Sequence, residues 1–430
     1  MSSNFVKYRG VYTESGWFED AIVELDNQGN LLCLHAEAPH PIHDSVAGWA
    51  LPGFYNGHSH AFQYALGGRV ESLAQGKESD DFWSWRERMY QVAQTIDLES
   101  LKTLAMALYK EMYDSGYRQV TEFHYLHHKT DGHPFSEKAA MAEALVYAAT
   151  EVGLKISVVP VYYRNGGFGL EARREQIRFL SKSLDDYRQL VSDVENICSK
   201  YPGASWGVGV HSLRAADPHE IQELFSSYPR SVVKHIHIAE QIAEVDECLQ
   251  KWGQRPVEWL LNHVEVDQSF ALVHATQLNQ QELEGIVASK ATVVICPTTE
   301  ANLGDGFFPF LEYQNFGGAW TIGSDSQATI CPFEELRFLD YGQRLLHRKR
   351  NIVCRQGGDE SGEILYRQAQ LGGQRAAGVG EPCLGFKIGE PFRPVILNGD
   401  EVRFQNLQKE QLLSAAIFSP GRKPLLIDPN

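Results

Sequence analysis

The sequence lacks any apolar stretch of the roughly 18 residues that a membrane span needs, so no spanning segment is expected. It also lacks an excess of positive charge. Its 55 acidic and 39 basic residues give a net charge of −16, which argues against nucleic acid as a partner but leaves room for local cations around a small anionic substrate. The seven cysteines (33, 198, 248, 296, 331, 354 and 383) form no CxxC pair. They read as reduced packing thiols in a reducing compartment. No internal repeat of fixed period and no low-complexity stretch is visible. The opening residues, MSSNFVKYRG, hold no apolar core of a secretory signal, so a cytoplasmic location is expected. A homodimer is left open.

The chain does contain a recurring unit. Its 430 residues are 43% hydrophobic and 22% charged, as in an ordinary globular protein, and the length suits a barrel with a small accessory unit. Strand-like apolar runs alternate with helix-like stretches. The runs are GWALPGFYNGHSH (48–60), RQVTEFHY (118–125), KISVVPVYY (155–163), SWGVGVHSL (205–213), SVVKHIHIAE (231–240), SFALVHAT (269–276), ATVVICPTTE (291–300) and AWTIGSDS (319–326). Near-continuous apolar strands separated by helices imply a parallel sheet covered on both faces. Eight such units predict an α/β fold, a (β/α)8 TIM-like barrel over residues 51–381. Residues 1–50 and 382–430 read as short strands with turn signals. They predict one accessory β-sandwich domain built from both chain ends, with an irregular tail in SPGRKPLLIDPN.

Polar residues cluster where the runs end. Strand side chains alternate faces, so His58 and His60 share one, and at the end of the first strand both would point into the barrel mouth. Two imidazoles there suit a divalent metal. Strand five ends in HIHIAE, strand six at His274 and strand eight at Asp325. His235 and His237 also share a face, so alternation cannot choose between them; His237 lies nearer the rim and is preferred as the ligand. Three histidines and an aspartate can hold a metal that makes water acidic enough to attack near neutral pH. Glu240, three residues beyond His237, is placed to move protons. No lysine lies in or just after strand four to bridge two ions, so one divalent ion is expected.

The HxH after strand one, the HxxE at strand five, the histidine at strand six and the aspartate at strand eight resemble the amidohydrolase superfamily, on its mononuclear deaminase branch. The resemblance implies one zinc ion on His58, His60, His237 and Asp325. It also implies that Glu240 shuttles protons, that His274 polarises the water or the substrate, and that Asp325 helps to deprotonate the water as well as ligating.

Gln63, Arg86, Tyr125, His211 and Arg214 are the further residues expected at the mouth. Two arginines converging there favour carboxylates, which guanidinium grips in bidentate fashion. Longer stretches, among them DFWSWRERMY, EFHYLHH, CPTTEANLGDGFFP and EELRFLDYGQRL, resemble the formimidoylglutamate deiminase family of histidine catabolism. This implies a small dicarboxylate substrate, N-formimino-L-glutamate, with those five residues around its glutamate part. The alternative is a mononuclear deaminase for a nucleobase, a nucleoside or another N-formimino amino acid. Gln277 and Gln327 depart from the pattern, standing where histidines are expected. His124, His127 and His128 read as rim or packing residues.

Overall fold

The computed structural model describes residues 4–37, 42, 44–73, 78–419 and 426–427. Five strands open the chain: β1 (Asn4–Thr13), β2 (Gly16–Glu19), β3 (Ile22–Leu25), β4 (Leu31–His35) and β5 (Asp44–Pro52). The barrel strands follow: β6 (Phe54–Ser59), β7 (Tyr117–His124), β8 (Lys155–Tyr162), the short β9 (Ala204–Trp206), β10 (Val208–Ser212), β11 (Lys234–Ile238), β12 (Phe270–His274), β13 (Thr292–Ile295) and β14 (Ala319–Ile322). β15 (Pro394–Asn398) and β16 (Leu426–Ile427) complete the set.

The accessory unit takes the form of one connected seven-stranded sheet, ordered β16-β15-β5-β1-β3-β4, with β2 paired to β1. Tyr8, Val11, Ala21, Val23, Leu31, Ala50 and Ile396 form its core. The chain enters the barrel at Gly53, where a Cβ would lie 2.1 Å from Arg118 Cγ. Two features differ from expectation. Leu426–Ile427, within the tail expected to be irregular, pairs antiparallel with β15; residues 420–425 and 428–430 of that tail lie outside the described residues. Leu412–Phe418 is a helix where short strands were expected. Its buried residues are Leu412, Leu413, Ala416 and Ile417, a spacing that makes one helical face rather than one strand face.

The barrel runs β6-β7-β8-β10-β11-β12-β13-β14, with all neighbours parallel and the short β9, just before β10, paired beside β8. Strands β11, β12 and β13 are buried at every residue, as helices on the outer face require. Closure occurs past the end of β14. The Asp325 amide donates to the His58 carbonyl at 3.0 Å, and the His60 amide donates to the Asp325 carbonyl at 3.1 Å. Below this, Asn56 Nδ2 donates to Ser324 Oγ at 2.7 Å, and the Ser324 backbone amide donates to Asn56 Oδ1 at 3.0 Å.

The helix Ser361–Ala376 lies directly against β14 and β6. Gly372 permits the approach, because a Cβ there would fall 1.9 Å from the Trp320 carbonyl oxygen. Gly372→Ala is therefore expected to destabilise the protein by about 1–3 kcal/mol, the usual cost of overpacking. The check is a lower urea midpoint at unchanged slope; an unchanged midpoint would mean that the helix simply moves away.

Candidate active site and metal centre

The mouth is shaped by irregular backbone. The β6–β7 register slips between Asn56 and Ser59, and the β10–β11 register slips between Val210 and Ser212, which leaves His211 as the extra residue. Such bulges re-aim side chains at strand ends. Ala239, His274, Ala275, Asp325 and Gln327 all take positive φ, between 45° and 68°. Non-glycine residues in this region carry strain of about 1–3 kcal/mol each, which concentrates at functional sites.

Four side chains converge at one point. The Nε2 atoms of His58 and His60 lie 3.1 Å apart, and those of His58 and His237 lie 3.0 Å apart. Asp325 Oδ1 is 3.3 Å from His58 Nε2 and 3.2 Å from His60 Nε2. His60 Nδ1–H donates to the Phe123 carbonyl at 2.8 Å and His237 Nδ1–H to the His211 carbonyl at 2.9 Å. Those bonds turn the Nε2 lone pairs toward the common centre. Burial pushes His58 down to about 3 and His237 well below its ordinary value, so both rings are neutral, the ligating form. Burial opposes ionisation of Asp325, but its contacts with His58 and His60 outweigh it and hold the carboxyl well below the usual range. Three facing lone pairs and a carboxylate fit a divalent cation. A tetrahedral ion with ligands at about 2.0–2.2 Å spaces them roughly 3.3–3.6 Å apart, a little wider than the separations found. His235 lies deeper, with Nε2–H donating to the Ala376 carbonyl at 2.7 Å.

Beside this centre sits a charged group. His274 Nε2 is 3.7 Å from Glu240 Oε1 and 3.8 Å from Asp325 Oδ2, while His274 Nδ1–H donates to Glu300 Oε1 at 3.2 Å. Burial would discharge His274, but Glu240, Glu300 and Asp325 outweigh it and raise the ring to about 10. Burial also raises Glu240, against the pull of His274 and Arg214. The Ala239 and Glu240 amides both donate to the buried Glu244 carboxylate at 3.3 Å, which fixes the turn that carries Glu240.

The cavity over these groups is lined by His60, His237, Glu240, His274 and Asp325 together with Gln63, Arg86, Tyr125, His211 and Arg214. All the residues singled out in the sequence therefore meet here, except that His58 sits just beneath the lining. Arg86 comes from the helix Phe82–Ala93 rather than from a strand exit, and its guanidinium lies 4.4 Å from the Trp83 ring centre. Gln63 Nε2 donates to Tyr125 Oη at 2.8 Å. His127 and His128 donate to the Val161 and Leu180 carbonyls, and His124 packs against His127.

Sequence reasoning missed Glu122, Glu244, Glu300 and Asp305. Glu122 accepts from the Ala61 amide, next to the HxH. Glu300 and Asp305 lie within the quoted CPTTEANLGDGFFP, whose two acids were an available signal. The two departures are brackets between strands. Gln327 Nε2 donates to Ser59 Oγ at 3.0 Å and to the Asp325 carbonyl at 2.7 Å. Gln277 Nε2 donates to the Asp305 carbonyl at 2.6 Å and to the Glu240 carbonyl at 3.3 Å.

Residues 49–357 match the amidohydrolase family. The chain belongs to that family. A formimidoylglutamate deiminase of Pseudomonas aeruginosa is 37% identical over 408 residues, which cover 94% of this chain and 88% of the relative. The solved structure of an amidohydrolase from Brucella melitensis, also 37% identical, superposes with a TM-score of 0.89 over 97% of this chain and 91% of that one. An adenosine deaminase from Xanthomonas campestris, solved with bound zinc, reaches a TM-score of 0.80 at 20% identity over 98% of this chain and 90% of that one, a likeness of fold alone. Amidohydrolases are metal-dependent, and the buried His/Asp cluster gives this chain a place for the ion. No helix among the described residues is long and apolar enough to cross a membrane.

Elemental analysis is expected to find one divalent ion per chain, with activity lost on prolonged chelation. His237→Asn should leave most chains without the ion. Two ions per chain in an active preparation would contradict the single centre.

Proposed function

We propose that the chain hydrolyses the C=N bond of N-formimino-L-glutamate, giving N-formyl-L-glutamate and ammonia, with one zinc ion held by His58, His60, His237 and Asp325. The observation that carries this reading is the state of the two guanidiniums in the cavity. Arg214 is 5% exposed, and its Nε and Nη1 have no hydrogen-bond partner; nor does Arg86 Nε. Arg214 Nη2 reaches only the edges of Glu240 and Glu244, at 3.9 and 3.8 Å. Buried N–H groups left unmatched are costly, and a substrate with two carboxylates would match them. The Pseudomonas aeruginosa relative supports the same substrate.

When bound, the ion lowers the proton affinity of water enough for attack near neutral pH. Glu240 accepts a proton from the attacking water and delivers it to the formimino nitrogen, and the second proton, from the hydroxyl so formed, follows as the C=O bond forms and the nitrogen leaves as ammonia. Its raised proton affinity suits both halves of that transfer. His274, held as a cation by Glu240, Glu300 and Asp325, directs Nε2–H at charge developing during attack. Arg86 and Arg214 hold the carboxylates and so fix the formimino carbon in the mouth, with Gln63, Tyr125 and His211 filling the space between.

Glu240→Gln is expected to keep the ion and lower kcat by at least about 10²-fold, the low end for a general acid/base. Near-normal turnover would place the shuttle elsewhere. For the substrate, ammonia release is measured on formiminoglutamate, formiminoaspartate, guanine, cytosine and adenosine. Formiminoglutamate should lead, and Arg86→Met and Arg214→Met should each lose at least about tenfold in kcat/KM on it, as for one charge-assisted hydrogen bond. Faster turnover of a nucleobase or nucleoside would overturn the assignment.

A further inference from the structure

Glu240 shares its surroundings with a carboxylate that the chemistry above does not use. Asp305 stands between Gly304 and Gly306, which take φ of 71° and 111°; this Gly-Asp-Gly turn sends the side chain inward, to 5% exposure. Its amide donates to the Glu300 carbonyl at 2.9 Å, and its own carbonyl accepts from Gln277. Oδ1 accepts from the Gln241 side-chain amide. Oδ2 is buried and has no partner. A carboxylate oxygen of Asp305, one of Glu240 and a ring nitrogen of His274 all lie within 4.8 Å of one another.

We propose that Asp305 is a positioning residue for Glu240, a neutral carboxylic acid that accepts the Gln241 amide on Oδ1 and offers its proton to the Glu240 carboxylate from Oδ2. The proposal rests on Glu240 as the proton shuttle. The remaining gap is one that a side-chain rotation closes or a single water spans. The charged groups around Asp305 are Glu240, Glu300 and Asp325 on one side of the balance and His274 on the other; Gln241 and Gln277 are neutral. Arg214 already faces Glu240 and Asp325 belongs to the metal centre, so His274 is the imidazolium left to face Asp305, and an ionised Asp305 would add a further anion to a buried site. Burial first, and then Glu240, accordingly hold the Asp305 proton far above the ordinary carboxylate range. A neutral acid resolves two conflicts together: it gives Oδ2 a partner, and it replaces a repulsive carboxylate pair with a hydrogen bond that aims Glu240.

The test compares Asp305→Asn with Asp305→Ala in the metal-loaded enzyme. The amide reproduces both bonds, its oxygen toward Gln241 and its NH2 toward Glu240, so Asp305→Asn should keep kcat within about threefold of wild type, while Asp305→Ala should lose roughly tenfold or more in kcat, as for one hydrogen bond to a charged group, with KM and metal content unchanged. A second readout needs no substrate. An aspartate that keeps its proton on folding loses stability as pH rises above the unfolded value of about 3.9, so the melting-temperature advantage of Asp305→Asn over wild type should grow from about pH 5 to about pH 8. Asn as damaging as Ala, full activity in the Ala variant, or a pH-independent difference in melting temperature would each overturn the proposal. Should the Ala variant fail to fold, the Asn variant decides. Because the melting comparison is independent of turnover, failure of the Glu240 assignment is distinguishable from failure of this one.

Discussion

The structure depends on the seam where strand eight returns to strand one. The backbone hydrogen bonds that close the barrel there belong to His58, His60 and Asp325, three of the four side chains at the metal centre. Closure and ligand placement are thus one event. A barrel that failed to close would have no centre, and the ion, once bound, would tie the same two strands together from the side-chain side. Asn56, Ser324 and Gln327 brace this join with side-chain hydrogen bonds. The positive φ of Asp325 and Gln327 is tolerated because the surrounding bonds over-determine it.

Around the seam the charges separate into two halves. On one side, burial keeps His58 and His237 neutral, and a bond to the His211 carbonyl turns the His237 lone pair inward. On the other, His274 is surrounded by carboxylates and held as a cation. The residue type is the same and the depth is similar; only the partners of the rings differ. A carbonyl accepts one proton and asks for no charge, whereas a carboxylate rewards the second proton with Coulomb attraction in a medium that screens poorly. The same imidazole is therefore suited to act as a Lewis base in one half and as an acid in the other.

The barrel and the metal centre were legible because they follow from strand period and chain order. His58, His60, His237, His274 and Asp325 lie at the ends of apolar runs, and local pattern placed each of them there, although alternation could not separate His237 from His235. Glu300 and Asp305 were not weighed as site residues, although their stretch was quoted, because their meaning lies in distances to His274 and Glu240 that no local period encodes. Gln277 and Gln327 looked like defects for the same reason: their work is to bridge elements far apart in sequence. The helix Leu412–Phe418 was missed because it is short, although the spacing of its buried residues carried the helical signal. β16 is two residues long, too short for any pattern to mark it.

The position of Arg214 links the two things the cavity must do. Its guanidinium lines the cavity beside Glu240 and also faces Glu244, and its field works against the effect of burial on Glu240. On the proposed reading, a substrate carboxylate bound to the free N–H groups of Arg214 neutralises part of that field. Glu240 then holds a proton more readily when the substrate is present than when the cavity is open. A shuttle tuned in this way has its greatest proton affinity in the complex that contains a water to deprotonate and a nitrogen to protonate. On the same reading, the Arg214 guanidinium, buried in a protein of net charge −16, is more than a grip on the substrate: the charge that would select a carboxylate would also adjust the acid that acts beside it.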